Sequence, residues 1–113
     1  MFRRKALALA TLSTIVCIST AGAEEGFKSS KFLTHSAESQ KGYIGASVMM
    51  AGVIASKNAP EQARCIDGWA SSNDPSGFPT VIEAMRKYPD YHPSGIILAV
   101  LQKACGSFEF VRK

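Results

Sequence analysis

Three cysteines, two histidines and nine carboxylates are the groups in this 113-residue chain from which catalysis or metal binding would be built. Their spacing builds neither. His35 and His92 are the only imidazoles and fall in different predicted elements. His92, between Tyr91 and Pro93, is placed to cap the helix that follows, while His35 reads as a solvated or capping residue near a helix start. No two carboxylates share a helical face with a histidine. Ser36, Ser39 and Ser47 lack the strand-to-helix turn of a nucleophile elbow. Gly42 to Gly45 follows no strand, so it is not a phosphate loop. A Cys–His nucleophile would need a free thiolate, and the chain has no Cys-x-x-Cys to start a zinc site. We therefore expect no catalytic residue, no metal ligand and no cofactor, and read the chain as not an enzyme.

The cysteines divide into one and two. Cys17 lies in an apolar stretch from Ala6 to Ile18, preceded by Arg3, Arg4 and Lys5 and followed by Ala21-Gly22-Ala23. A basic start, an apolar middle and a small-residue end are the grammar of a secretory signal peptide, here residues 1–23. Val16 stands before Cys17, where lipoprotein processing wants a small residue, so Cys17 is not read as a lipid anchor. With Arg3, Arg4 and Lys5 removed from the 13 basic residues, ten face nine acidic ones, a net charge of +1. The sequence pI of 9.1 thus reflects a segment that is cut away, and nucleic-acid binding loses its compositional support. Cys65 and Cys105 remain, and two cysteines in an exported chain most simply form one disulfide. Closing a loop of about 40 residues, such a bridge contributes roughly 4 kcal/mol on the loop-entropy model, a large share of the roughly 5–15 kcal/mol that holds a small domain together. The uncharged run Ile44–Ala55 falls well short of the roughly 20 residues that span a membrane. The expected location is the periplasm, with no membrane span.

The elements that carry these residues read as helices. Residues 24–31 are polar and read as a flexible arm, and 32–106 as the domain. A long helix runs from about Leu33 to Ser56, with Tyr43, Ser47, Met50 and Ile54 on one stripe and Ile44, Val48, Ala51 and Ala55 beside it. Both stripes follow the spacing of a buried helix face, and Met49-Met50 reads as core filling. Gly42, Gly45 and Gly52 lower helix propensity and are expected where another backbone packs close. Asn58 or Ala59 caps a second helix with Pro60 in its first turn, running to about Trp69 with Cys65, Ile66 and Trp69 inward. Ala70–Gly77 is dense in turn formers and reads as the main exposed loop. A third helix runs from Phe78-Pro79 to near Tyr88, with Val81, Ile82 and Met85 on its apolar side. Beyond the Pro89–Pro93 corner, a fourth runs from Pro93 or Ser94 to Cys105, with Ile97, Val100, Leu101 and Ala104 inward and Gly106 as its C-cap. Residues 107–113 form a tail, extended over Ser107–Arg112. The fold class is all-α, a small four-helix domain in which one inter-helix disulfide ties the second helix to the fourth. Phe78, Tyr88 and Tyr91 gather near the proline corner and the loop, where they either pack in the core or, exposed, suit a protein-binding edge.

The run Gly42-Tyr43-Ile44-Gly45, the pair Cys65-Ile66, and Tyr91-His92-Pro93 leading through Ile96–Leu101 to Cys105 resemble the Rap/Tai family. The likeness covers about Phe32 to Cys105. That family consists of small periplasmic helical proteins, including immunity proteins that neutralise type VI secretion peptidoglycan amidases. The resemblance implies a protein partner of that kind, whose active-site cleft this domain occludes through the Ala70–Gly77 loop, with Trp69, Asn73, Asp74, Phe78 and Tyr91 at the contact. Family members often carry further cysteines near the first helix, where this chain has Ser39-Gln40-Lys41, and an acidic residue after the Gly-Tyr-Ile segment, where it has Ser47-Val48. The alternative is an HdeA-like acid-stress chaperone. Below about pH 3 the carboxylates are protonated, and ten basic residues with two histidines repel one another. The oligomeric state is left open, a homodimer included.

Overall fold

Prolines and side-chain caps set the helix boundaries of this chain. A computed structural model describes residues 26–108. The expected signal peptide and residues 109–113 of the expected tail lie outside the described residues. The elements are a one-turn helix α1 (Ser29–Phe32), the long α2 (Ala37–Asn58), α3 (Pro60–Asn73), a 3₁₀ turn (Asp74–Ser76), α4 (Pro79–Lys87) and α5 (Pro93–Cys105). α2 opens where the Ser36 hydroxyl accepts the Ser39 N–H at 3.1 Å. α3, α4 and α5 each open on a proline, whose missing N–H costs nothing in a first turn. At α5, His92 Nδ1 also accepts the Ser94 N–H at 3.1 Å, the cap expected of it. Gly106, at φ 92°, ends that helix. The described residues contain no strand.

The fold is all-α, with four substantial helices. α2 packs along its length on α3, and α5 closes against α2, α3 and α4. Between them lies one core, in which Ile44, Val48, Ile66, Phe78, Val81, Met85, Ile97 and Leu101 are buried. Gly52 leaves room for side chains of α3: a Cβ there would stand 3.2 Å from Asp67 Oδ1 and 3.7 Å from Ile66 Cγ2. The expected bridge joins Cys65 of α3 to Cys105 at the end of α5, with Cα atoms 5.7 Å apart. Gln62, one turn before Cys65, is buried and donates through Nε2 to the carbonyls of Gly106 (2.8 Å) and Ser107 (3.0 Å). The chain leaving α5 is thereby held against α3.

Cys65 and Ala104, expected inward, are exposed, and four larger expectations need correction. The segment read as a flexible arm is docked from Phe27 onward. Ser29 is fully buried, its N–H and hydroxyl both donating to the Tyr91 carbonyl at 2.8 Å, and Ser30 N–H donates to the Pro89 carbonyl at 2.9 Å. The docking follows from the proline corner, whose carbonyls have no helical partners and receive these donors instead. Second, α3 does not stop at Trp69. It runs on to Asn73, whose side-chain amide folds back to donate to the Trp69 carbonyl at 2.8 Å, so most of the expected loop is helix and 3₁₀ turn. Third, Met49 and Met50 are not core filling but exposed, at 71% and 59%. Met50 and Ile54 were expected on a buried stripe, but the buried residues of α2 are Ile44, Val48, Gly52 and Ala55, with Tyr43 and Ala51 packed half-buried beside them. Fourth, Phe78 is a core residue, as described next.

Candidate functional site

The turn between α3 and α4 decides which aromatic residues face water. Gly77 (φ 79°) and Phe78 (φ 56°) are both left-handed, their N–H groups returning to the carbonyls of Asp74 and Asn73. A left-handed non-glycine residue costs roughly 1–2 kcal/mol. Full burial of the phenyl ring, worth about 1.5–3 kcal/mol, offsets it. The reversal drives Phe78 into the core and stacks it on Trp69, with ring centroids 5.8 Å apart and planes at 27°. A residue with no exposed surface contacts no partner, so Phe78 leaves the expected contact set.

Of the other four, Trp69 alone lines the cleft described below. Trp69 is half-buried, one face on Phe78 and the rest lining a cleft. Asn73 is half-buried and occupied by its bond to the Trp69 carbonyl. Asp74 is exposed on the 3₁₀ turn. Tyr91 is 61% exposed at the proline corner, edge-on to Tyr88 at 5.9 Å.

The cleft that Trp69 lines runs between α3, α4 and α5, with a volume of about 680 Å³. Its floor is apolar: Trp69, Ala84, Ile96 and Val100. Tyr88, 50% exposed, forms one end. Glu83 and Lys87 rim it from α4 and Lys103 from α5. Glu83 already lies 3.4 Å from Arg86, an exposed pair, which leaves two lysines flanking the apolar floor. An aromatic and aliphatic floor inside a charged rim is the anatomy of a protein contact. Sequence reading found Trp69 and noticed Tyr88, but missed Lys87 and Lys103. The available signal was helical spacing: Ala84 and Lys87 on α4, and Ile96, Val100 and Lys103 on α5, fall on single faces.

Away from the cleft, the two imidazoles meet around one ring. His35 stacks on Phe27 at 5.9 Å and His92 stands edge-on to it at 5.8 Å. His92 keeps Nδ1 in its cap, and the pair packs the docked N-terminal segment against the start of α5. Among the described residues no three His, Cys, Asp or Glu side chains gather as a metal site, and no helix is long and apolar enough to cross a membrane.

No family model, curated protein or solved structure matches this chain. The site is read from its own geometry.

Proposed function

We propose that this chain is an exported, non-enzymatic protein-binding domain of Rap/Tai type, which occludes the active-site cleft of a type VI secretion peptidoglycan amidase. The observation that carries the binding reading is the Trp69–Tyr88 cleft, an apolar floor between Lys87 and Lys103. Its partner presents an apolar side chain flanked by carboxylates. Trp69 is held by Phe78 and by a helix stapled at Cys65, so little side-chain entropy is lost on contact. Export is supported by the basic-apolar-small pattern of residues 1–23 and by a disulfide, which persists in oxidising compartments.

The test is sacculus hydrolysis by a purified amidase of this class, with the oxidised protein added. Stoichiometric inhibition is expected, weakened about tenfold or more by Tyr88→Ala and by Lys103→Glu, as for anchors at an interface centre. Full amidase activity in the presence of excess protein overturns the amidase assignment. Inhibition that both variants leave intact overturns the cleft. Protection of many unfolded clients near pH 3, without amidase inhibition, replaces this reading with the acid-stress chaperone.

A further inference from the structure

A second groove, of about 520 Å³, lies between α2 and α5, and no charged residue lines it. Tyr43 and Ser94 close one end, their hydroxyl oxygens 3.2 Å apart. Along it stand Met50, Ile54 and Leu98, three of the large apolar side chains that the domain leaves exposed. Phe108 lines the groove where the described chain ends, half-buried against the core. The chain arrives there already turned back along α5. Gly106 (φ 92°) makes the reversal, Gln62 Nε2 donates to the Gly106 and Ser107 carbonyls, and Phe108 N–H donates to Gln102 Oε1 at 3.4 Å.

We propose that the chain's own residues 109–113 occupy this groove, with the Phe110 ring set over Met50, Ile54 and Leu98. The docking is independent of the amidase reading, since no residue lines both this groove and the Trp69–Tyr88 cleft. Three features select this occupant. In an extended segment alternate residues share a side, so Phe110 follows Phe108 toward the groove. The reach also matches. From Ile54 back to Tyr43 is about 16 Å of helix at 1.5 Å per residue, and the five residues 109–113 span about 16–18 Å when extended. Finally, a two-residue step from Phe108 holds Phe110 at an effective concentration of roughly millimolar order, against which a separate peptide or a second copy must compete. An uncharged groove suits a phenyl ring, and covering it removes three exposed apolar side chains from water.

Methyl NMR of the oxidised protein tests this. Nuclear Overhauser contacts are expected from the Phe110 ring to the methyl groups of Met50, Ile54 and Leu98, and Phe110→Ala should abolish the ring-current shift of the Met50 methyl. Phe110 lies beyond α5, so the unchanged spectrum of the helices serves as the folding control. Carboxypeptidase digestion reads the same contact by rate. Met50→Glu and Leu98→Glu, both at exposed positions, put a charge into the groove and should each speed removal of residues 109–113 about tenfold or more. A Phe110 ring that contacts none of the three methyl groups overturns the docking, as does equal digestion of the three chains. Contacts seen only between labelled and unlabelled chains in a mixture also overturn it, and hand the groove to a second copy.

Discussion

Cys65 is exposed and Cys105 half-buried, so the bridge staples the domain from its surface. Its contribution is therefore nearly all constraint on the unfolded chain, and little packing is lost when it is cut. Cys65→Ala with Cys105→Ala should lower stability by about 3–4 kcal/mol in a denaturant titration, with the helical circular dichroism retained at low denaturant. An unchanged midpoint would show that the bridge is ornamental. Glycines give a second residue-scale prediction, of both signs. Gly68 lies within α3 with open space at its Cβ, so Gly68→Ala should stabilise by about 0.5–1 kcal/mol through helix propensity alone. Gly52→Leu pushes into Asp67 and Ile66 and should destabilise by about 1–3 kcal/mol. At this scale, what a residue does with its own neighbours in sequence is legible. His92 beside Pro93 reads as a cap because both partners of the bond are local. Phe78 was not legible, because a left-handed backbone at a phenylalanine exists only where distant Trp69 and the core hold it.

At the scale of elements, α2 to α5 were legible from prolines, capping residues and apolar spacing, to within a turn at most ends. The two misread segments have one cause: polar composition was taken as exposure and loop. Residues 28–31 are Lys-Ser-Ser-Lys, yet Ser29 finds the carbonyl of Tyr91, far along the chain, and its polarity is what docks it. Ala70 to Asn73 has turn composition, yet it remains helical because Asn73 supplies its own carbonyl partner one turn back. α1 is therefore a strap across the proline corner between α4 and α5, anchored by Phe32 in the core. Ser29→Ala should cost about 1 kcal/mol, the loss of one buried hydrogen bond, since the Tyr91 carbonyl keeps the Ser29 N–H. Phe32→Ala should cost about 3–5 kcal/mol, as for a deeply buried aromatic. Thermal unfolding of the two variants checks both values. A flexible arm would show neither loss.

The whole molecule carries two unlike faces on one stapled core. The α3–α4–α5 cleft has an apolar floor with a charged rim, which suits a partner that must also exist alone in water. The outer side of α2 carries no charge from Gly42 to Ser56, and Met49 and Met50 are exposed there. Sequence reading placed Met49 and Met50 in the core, since periodicity alone cannot tell an apolar stripe that faces the core from one that does not. It is the position of α3 and α5 around α2 that divides them. Because the faces share no residue and sit on opposite sides of the core, changes to them should act independently, as substitutions at distant sites do. Met49→Glu, on the exposed outer side of α2, should leave amidase inhibition within about twofold. Tyr88→Ala should weaken inhibition about tenfold or more. If Met49→Glu abolished inhibition while its melting curve stayed normal, the partner would be meeting the α2 face, and the assignment of binding to the cleft would fall.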